Sequence, residues 1–204
     1  MYNRSGWQDD KKVIKFTTTT GKEVELTQQQ AMSIYATWKR EHTDGQIASR
    51  HLEHGGFVLS QRRSDGQFRM EQEQAGNGTA LTQEDIDIIT NELGQDVINY
   101  VNAVVGYMSK DLSKMGNEAS MQMYGIRKYK ETYYFPISSS KGTMYQRSDA
   151  GAQSTSDDTR MKNMSMTKSR LNNANNTVLI EDFDAVTTGH IQQMITYASF
   201  VNGL

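Results

Sequence analysis

Cysteine is absent from all 204 residues, which removes disulfide frameworks, cysteine-rich zinc sites and thiol nucleophiles from consideration. No apolar run approaches the roughly 18 residues that a membrane-spanning helix requires. Met1–Asp10 is polar, with Arg4 and two aspartates where a secretory leader would carry an apolar core. Charge of one sign is missing too. The 22 basic and 24 acidic residues leave a formal charge of −2, which argues against a strongly basic nucleic-acid surface, although a local basic patch fits within such a total. No repeat with a period of about 20–50 residues is visible, and neither common glycine pattern that cradles phosphate occurs. These absences lead to the expectation of a soluble protein in the cytoplasm, or delivered into it, with no membrane contact.

What remains is a chain that is 36% hydrophobic, enough for one respectable core or two small ones. It has one proline, Pro136, and 12 methionines. Methionine fills irregular core gaps and also recurs at adaptable binding surfaces; its helical spacing here favours the core.

Two short apolar stretches, Val13–Phe16 and Glu23–Leu26, flank Thr19-Thr20-Gly21-Lys22 and predict a hairpin. Thr27 with Gln30 reads as a capping box opening a helix that carries Ala31, Ile34, Tyr35 and Trp38 on one face through about Glu41. A second hairpin is predicted from Phe57–Leu59 and Gln67–Met70 around Ser64-Asp65-Gly66. Thr82 with Asp85 opens another helix, carrying Ile86, Ile89 and Leu93 and ending at Gly94. Val97, Ile98, Val101, Val104, Val105, Met108, Leu112 and Met115 step by three and four, which predicts one amphipathic helix over Gln95–Lys114. Gly116-Asn117 is expected to break it, with a shorter helix over Glu118–Tyr124. Ser138–Arg160 reads as a long polar loop. Val178–Ile180 reads as a short buried strand, and a last helix places Phe183, Val186, His190, Met194, Ile195 and Ala198 on one face. The fold class is therefore mainly α with small β-hairpins (α+β), a helical core around a long helix. Residues 1–71 form a hairpin-plus-helix region and residues 80–204 a helical region, with one domain overall as the alternative.

Each candidate for chemistry meets a plainer explanation. His51-Leu52-Glu53-His54 spaces two histidines three apart, but it is not the zinc-peptidase pattern and no third ligand is evident, so a helix end before Gly55-Gly56 is the better reading. His190 sits on an apolar face and reads as a core histidine. Glu84, Asp85 and Asp87 crowd a helix start, where the dipole accounts for them. Ser154-Thr155-Ser156 with Arg147 and Glu181 matches the residue types of an ADP-ribosyltransferase site only by coincidence, because the serines lie in a polar stretch. No catalytic residue, metal ligand or cofactor is assigned. Basic and aromatic residues interleave at Arg127, Lys128, Tyr129, Lys130, Tyr133 and Tyr134, and a second basic run holds Arg160, Lys162, Lys168 and Arg170. Such a mixture can contact phosphates and stack on bases. It can also pack its rings onto the long helix while the lysines face water, the reading favoured here. Together these residues are the candidate binding surface.

Several blocks in order resemble a module of the large polyvalent proteins of phages and prophages: Gly116-Asn117-Glu118-Ala119-Ser120-Met121, Tyr124-Gly125, Tyr133-Tyr134-Phe135-Pro136-Ile137, Met166–Ser169, Asn173–Asn176 and Asp182–Val186 leading to His190, Met194 and Tyr197. Leu26-Thr27, Met32–Tyr35, Lys39–Glu41 and Gly55-Gly56 fit as well, so the resemblance runs from about Leu26 to Tyr197. It implies a part of polyproteins that enter the host with the phage genome and blunt its defences, and it assigns no catalytic residue. The expected function is non-enzymatic counter-defence in the cytoplasm of a bacterial host. The protein would bind and inhibit a defence nuclease, such as a CRISPR effector, through the protein itself or through nucleic acid. A structural module of a virion-injected polyprotein is the alternative, and an unfamiliar transferase the second.

Overall fold

Two short strands open the computed structural model, which describes residues 12–43, 50–62, 68–70, 78–139 and 177–202. Strands β1 (Val13–Thr17) and β2 (Glu23–Thr27) pair antiparallel, with Ile14 opposite Leu26 and Phe16 opposite Val24. The period of two turns Ile14, Val24 and Leu26 inward, and leaves Lys15 and Glu25 opposite one another on the outer face as a 2.7 Å ion pair. The Thr27–Gln30 capping box then starts α1 (Gln28–Glu41): the Gln30 amide donates to Thr27 Oγ1 at 3.1 Å, and the Thr27 amide to Gln30 Oε1 at 3.0 Å. Ten of the fourteen residues of α1 are buried, including Thr37, Arg40 and Glu41.

A single turn, α2 (His51–His54), leads through Gly55-Gly56 into β3 (Phe57–Arg62), which pairs antiparallel with β4 (Phe68–Met70). The Ser64-Asp65-Gly66 turn of that hairpin lies outside the described residues. Gly56 has φ +65°, and a Cβ there would stand 2.6 Å from the Thr79 backbone carbon. Only glycine fits, because three segments meet at this point. Gly56 O accepts from the Val178 amide at 3.0 Å, and Phe57 and Thr79 exchange both of their backbone hydrogen bonds.

Helix α3 (Gln83–Leu93) has the expected cap at Thr82 and ends at Gly94. Next comes α4 (Gln95–Tyr107). Here the structure corrects the sequence reading, because Gly116-Asn117 does not stop the helix. A π-helical turn over Met108–Leu112 passes the chain directly into α5 (Ser113–Tyr124), which closes at left-handed Gly125. The Ser113 amide and Oγ both reach Met108 O, the hydroxyl at 3.0 Å. Ser138 and Ser139 are also not loop: they form β5, antiparallel to β6 (Val178–Ile180). Strand β6 lies parallel to β3, which gives a four-stranded sheet ordered β4-β3-β6-β5. The rest of the expected polar loop, residues 140–160, lies outside the described residues.

The final helix, α6 (Phe183–Asn202), buries Phe183, Thr187, His190, Met194, Tyr197, Ala198 and Val201. Ile195 is a correction, since it is 47% exposed and the stripe passes instead through Tyr197. The molecule is mainly α with small strands, an α+β fold. One cluster of buried side chains runs from Ile14, Leu26 and Ile34 through Val101 and Leu112 to Phe183 and Val201, and so takes in both halves of the described chain. No helix among the described residues is long and apolar enough to cross a membrane.

Candidate functional site

Residues 125–137 contain no helix or strand, yet they lie as a strap against the helices. Where such a segment is buried, as at Tyr129, Tyr134 and Phe135, its backbone polar groups need partners. Asn117 provides two: its Nδ2 donates to Tyr129 O at 2.7 Å, and its Oδ1 accepts from the Tyr129 amide at 2.9 Å. Ser120 Oγ donates to Ile126 O at 2.8 Å. Ser109 Oγ accepts from the Tyr134 amide at 2.8 Å while donating to Val105 O at 2.7 Å. Gly116 clears the space, since a Cβ there would come within 2.6 Å of the Tyr129 ring.

One ion pair fastens the strap to α1. Arg40 holds Glu131 through Nε at 3.1 Å and Nη2 at 3.0 Å, and its side chain is 2% exposed. The guanidinium also lies over the Tyr134 ring, 5.1 Å from its centre. Tyr134 packs in turn on His190, and Phe135 stacks on Phe183 with centroids 5.6 Å apart. Burial lowers the His190 pKa to about 4, so the imidazole is neutral in the fold.

The structure therefore splits the candidate binding residues. Tyr129 and Tyr134 are buried, and their rings belong to the core and not to a recognition surface. Burial raises the Tyr129 phenol well above its ordinary pKa. Arg127 and Lys130 are exposed and Lys128 half-buried. Lys128 Nζ stands 3.6 Å from the centre of the Tyr124 ring, a cation–π contact on a side chain that is 53% exposed. Beside it Ile126 is 55% exposed, and Met121 and Met123 are exposed as well. The end of α5 thus forms an exposed apolar tip with the Lys128 cation lying on it. Arg160, Lys162, Lys168 and Arg170 lie outside the described residues.

Two further clusters join residues that the sequence does not connect, although Tyr133 and the His51–His54 stretch are each conspicuous on their own. Where the strap crosses α1 and α4, Tyr35, Lys39, Asn102 and Tyr133 bring four polar heads together, all half-buried. Asn102 Oδ1 accepts from Lys39 Nζ at 2.8 Å and lies 3.5 Å from each phenol oxygen. The second cluster is at the end of α1. Glu41 accepts the backbone amides of His51 and Leu52 at 3.1 and 3.2 Å and so caps α2; burial raises its pKa to about 7 against those hydrogen bonds. His42 stacks on Trp38, and its Nε2 meets Glu53 at 3.2 Å, a carboxylate that Arg50 also holds. Glu53 is thus engaged by an imidazole and a guanidinium, and among the described residues no group of three or more potential ligands is arranged to hold a metal.

Asp85 is structural. Its carboxylate caps α3 and accepts from the Thr19 amide at 2.8 Å and hydroxyl at 3.1 Å, tying the first hairpin turn to that helix. Burial alone would raise its pKa, but the Thr82 and Thr19 hydrogen bonds outweigh burial and hold it below the usual value. Comparison with protein-family models, with curated proteins and with solved structures found no match.

Proposed function

We propose that this chain is a phage- or prophage-derived binding protein that works in a bacterial host by docking on a defence nuclease and blocking it, without chemistry of its own. The observation that carries the docking reading is the tip of α5. Tyr124 and Ile126 are each more than half exposed, Lys128 lies across the Tyr124 ring, and Arg127 and Lys130, close by in sequence, are exposed. An aromatic anchor with a cation on it suits an acidic protein surface or one already carrying nucleic acid. The strap is fixed by side-chain hydrogen bonds, so this tip is preorganised and little ordering cost falls on binding. The phage context rests on the ordered blocks of resembling residues.

A pull-down against a panel of host defence nucleases, coupled to an activity assay, tests the reading. Tyr124→Ala with Lys128→Glu and Lys130→Glu should abolish capture and inhibition while the far-ultraviolet circular dichroism stays unchanged. If the unaltered chain neither binds nor inhibits any of several nuclease types, the counter-defence role is wrong.

A second reading has one observation in its favour. Gly116, Asn117 and Ser120, from one of the resembling blocks, are consumed in holding the strap. That block therefore describes a scaffold, which suits a structural module of a virion-injected polyprotein. A gene in which the reading frame continues through many further domains would favour it.

A further inference from the structure

Lys39 and Arg40 are consecutive cations on α1 with opposite fates. Arg40 is closed off by Glu131. Lys39 gives one proton to Asn102 Oδ1 and has no carboxylate within ion-pair distance among the described residues. An ammonium has three protons, so two are left over. Aromatic rings flank it, with the centres of Tyr133 and Tyr35 at 5.1 and 5.9 Å from Nζ.

The phenols add to this surplus of donors. Each lies 3.5 Å from Asn102 Oδ1, well beyond the ~2.7 Å of a good O–H···O bond. Asn102 Nδ2 already donates to the Tyr35 oxygen at 3.3 Å, which turns the Tyr35 proton away from the amide. The amide oxygen is thus approached closely by Lys39 alone, and both phenol protons are left with a long contact at best. Burial raises the pKa of the Tyr133 phenol, and the neighbouring Tyr35 adds to the shift, so Tyr133 remains a donor. A half-buried cation and two underused phenol protons, with no further acceptor beside them among the described residues, make a set of donors that an anion would satisfy.

We infer that Lys39, Tyr35 and Tyr133, held in register by Asn102, form a binding site for a small oxyanion: the phosphate or carboxylate group of a ligand or partner. Lys39 supplies the charge, the phenols supply direction, and the rings shield the contact from water, which strengthens it. The site draws on α1, α4 and the strap and uses no residue of the α5 tip, so it stands or falls independently of the docking reading.

The full chain is titrated at low ionic strength with sodium phosphate and, separately, with sodium acetate. Nuclear magnetic resonance follows the Lys39 ammonium, the Asn102 side-chain amide and the Tyr133 backbone amide. Saturable shifts confined to these groups are expected, and the anion that binds more tightly names the class. Lys39→Met should weaken binding at least about tenfold, the equivalent of about 1.4 kcal/mol. The double variant Tyr35→Phe and Tyr133→Phe keeps both rings and should weaken it about threefold. The inference is overturned if neither anion gives a saturable shift, or if a folded Lys39→Met chain binds as well as the unaltered one. Should Lys39→Met fail to fold, undiminished binding by the double phenylalanine variant overturns it instead.

Discussion

The helix of residues 95–124 and the strap of residues 125–137 are neighbours in sequence, and both send side chains into the same core, but they stay folded by different means. Within the helix nearly every backbone group is satisfied a turn away, so a repeating stripe of Val97, Ile98, Val101, Val105, Met108 and Leu112 is enough to bury it. The strap has no repeating pattern and borrows its partners from Asn117, Ser120, Ser109 and, 91 positions away, Arg40. The helix is thus specified locally and held by area, whereas the strap is specified by distant residues and held by a few directional contacts. One consequence is that damage to the helix should be global and damage to the strap graded.

The largest effect is expected in the helix. Val101 is fully buried, and Val101→Asp would place an unpaired charge in the core at a cost of several kcal/mol, comparable to the whole stability of a domain this size. The variant should lack a cooperative thermal transition; a normal melt would refute the assignment of this face to the core.

The strap should respond asymmetrically. Glu131→Ala leaves the Arg40 guanidinium buried without its carboxylate and should cost about 3 kcal/mol in urea unfolding. Arg40→Met removes the buried charge and leaves Glu131, whose side chain is 29% exposed, able to find water, so it should cost clearly less. Equal losses would mean that the pair is held by packing and not by charge.

A contact away from the strap, between the end of α1 and α2, depends on pH. Burial raises the Glu41 pKa from 4.5 to about 7, so between those values the folded chain keeps a proton that the unfolded chain releases. Its contribution to stability is complete below about pH 4.5 and is lost as pH rises through about 7, a total on the order of 3 kcal/mol. His190 has the opposite sign. Its pKa falls from 6.5 to about 4 in the fold, so its contribution is present above about pH 6.5 and lost as pH falls toward 4. Glu41→Gln removes the ionisation, and with one oxygen where the carboxylate has two it keeps the His51 or the Leu52 amide but not both, a loss that does not vary with pH. The difference in urea midpoint between the variant and the unaltered chain should therefore move in the variant's favour as pH rises from 4.5 to 8. A constant margin would show that Glu41 does not ionise in this range.

The same contrast explains what could be read in advance. Thr27–Gln30 and Thr82–Asp85 are capping boxes whose whole mechanism lies within four residues; the first hairpin follows from alternation and a turn glycine, and the second hairpin and strand 178–180 from short apolar runs beside turn residues. Gly116-Asn117 misled because two residues of low helix propensity ordinarily end a helix. Here the missing Cβ and the Asn117 amide serve the strap, a tertiary demand that local propensity does not carry. Ile195 was placed inward by spacing, whereas Tyr197 holds the buried position. In the candidate site, the interleaved rings and cations of residues 127–134 were visible, but not that Tyr129 and Tyr134 face the core. Tyr35 and Lys39 do stand four apart on one helix face. Asn102, which joins them to Tyr133, has no local signature at all.

The π turn at Met108–Leu112 makes this part of the chain sensitive to its own length. It takes one residue more than an α turn would, so the helix that follows is rotated by about 100° from the position an uninterrupted spiral would give it. Deleting any one residue there would yield a more regular helix and a worse protein, because Asn117 and Ser120 would swing off the strap and Gly116 would no longer make room for the Tyr129 ring. Related chains should therefore keep the number of residues in the turn fixed and vary most at Lys110 and Asp111, its two exposed positions.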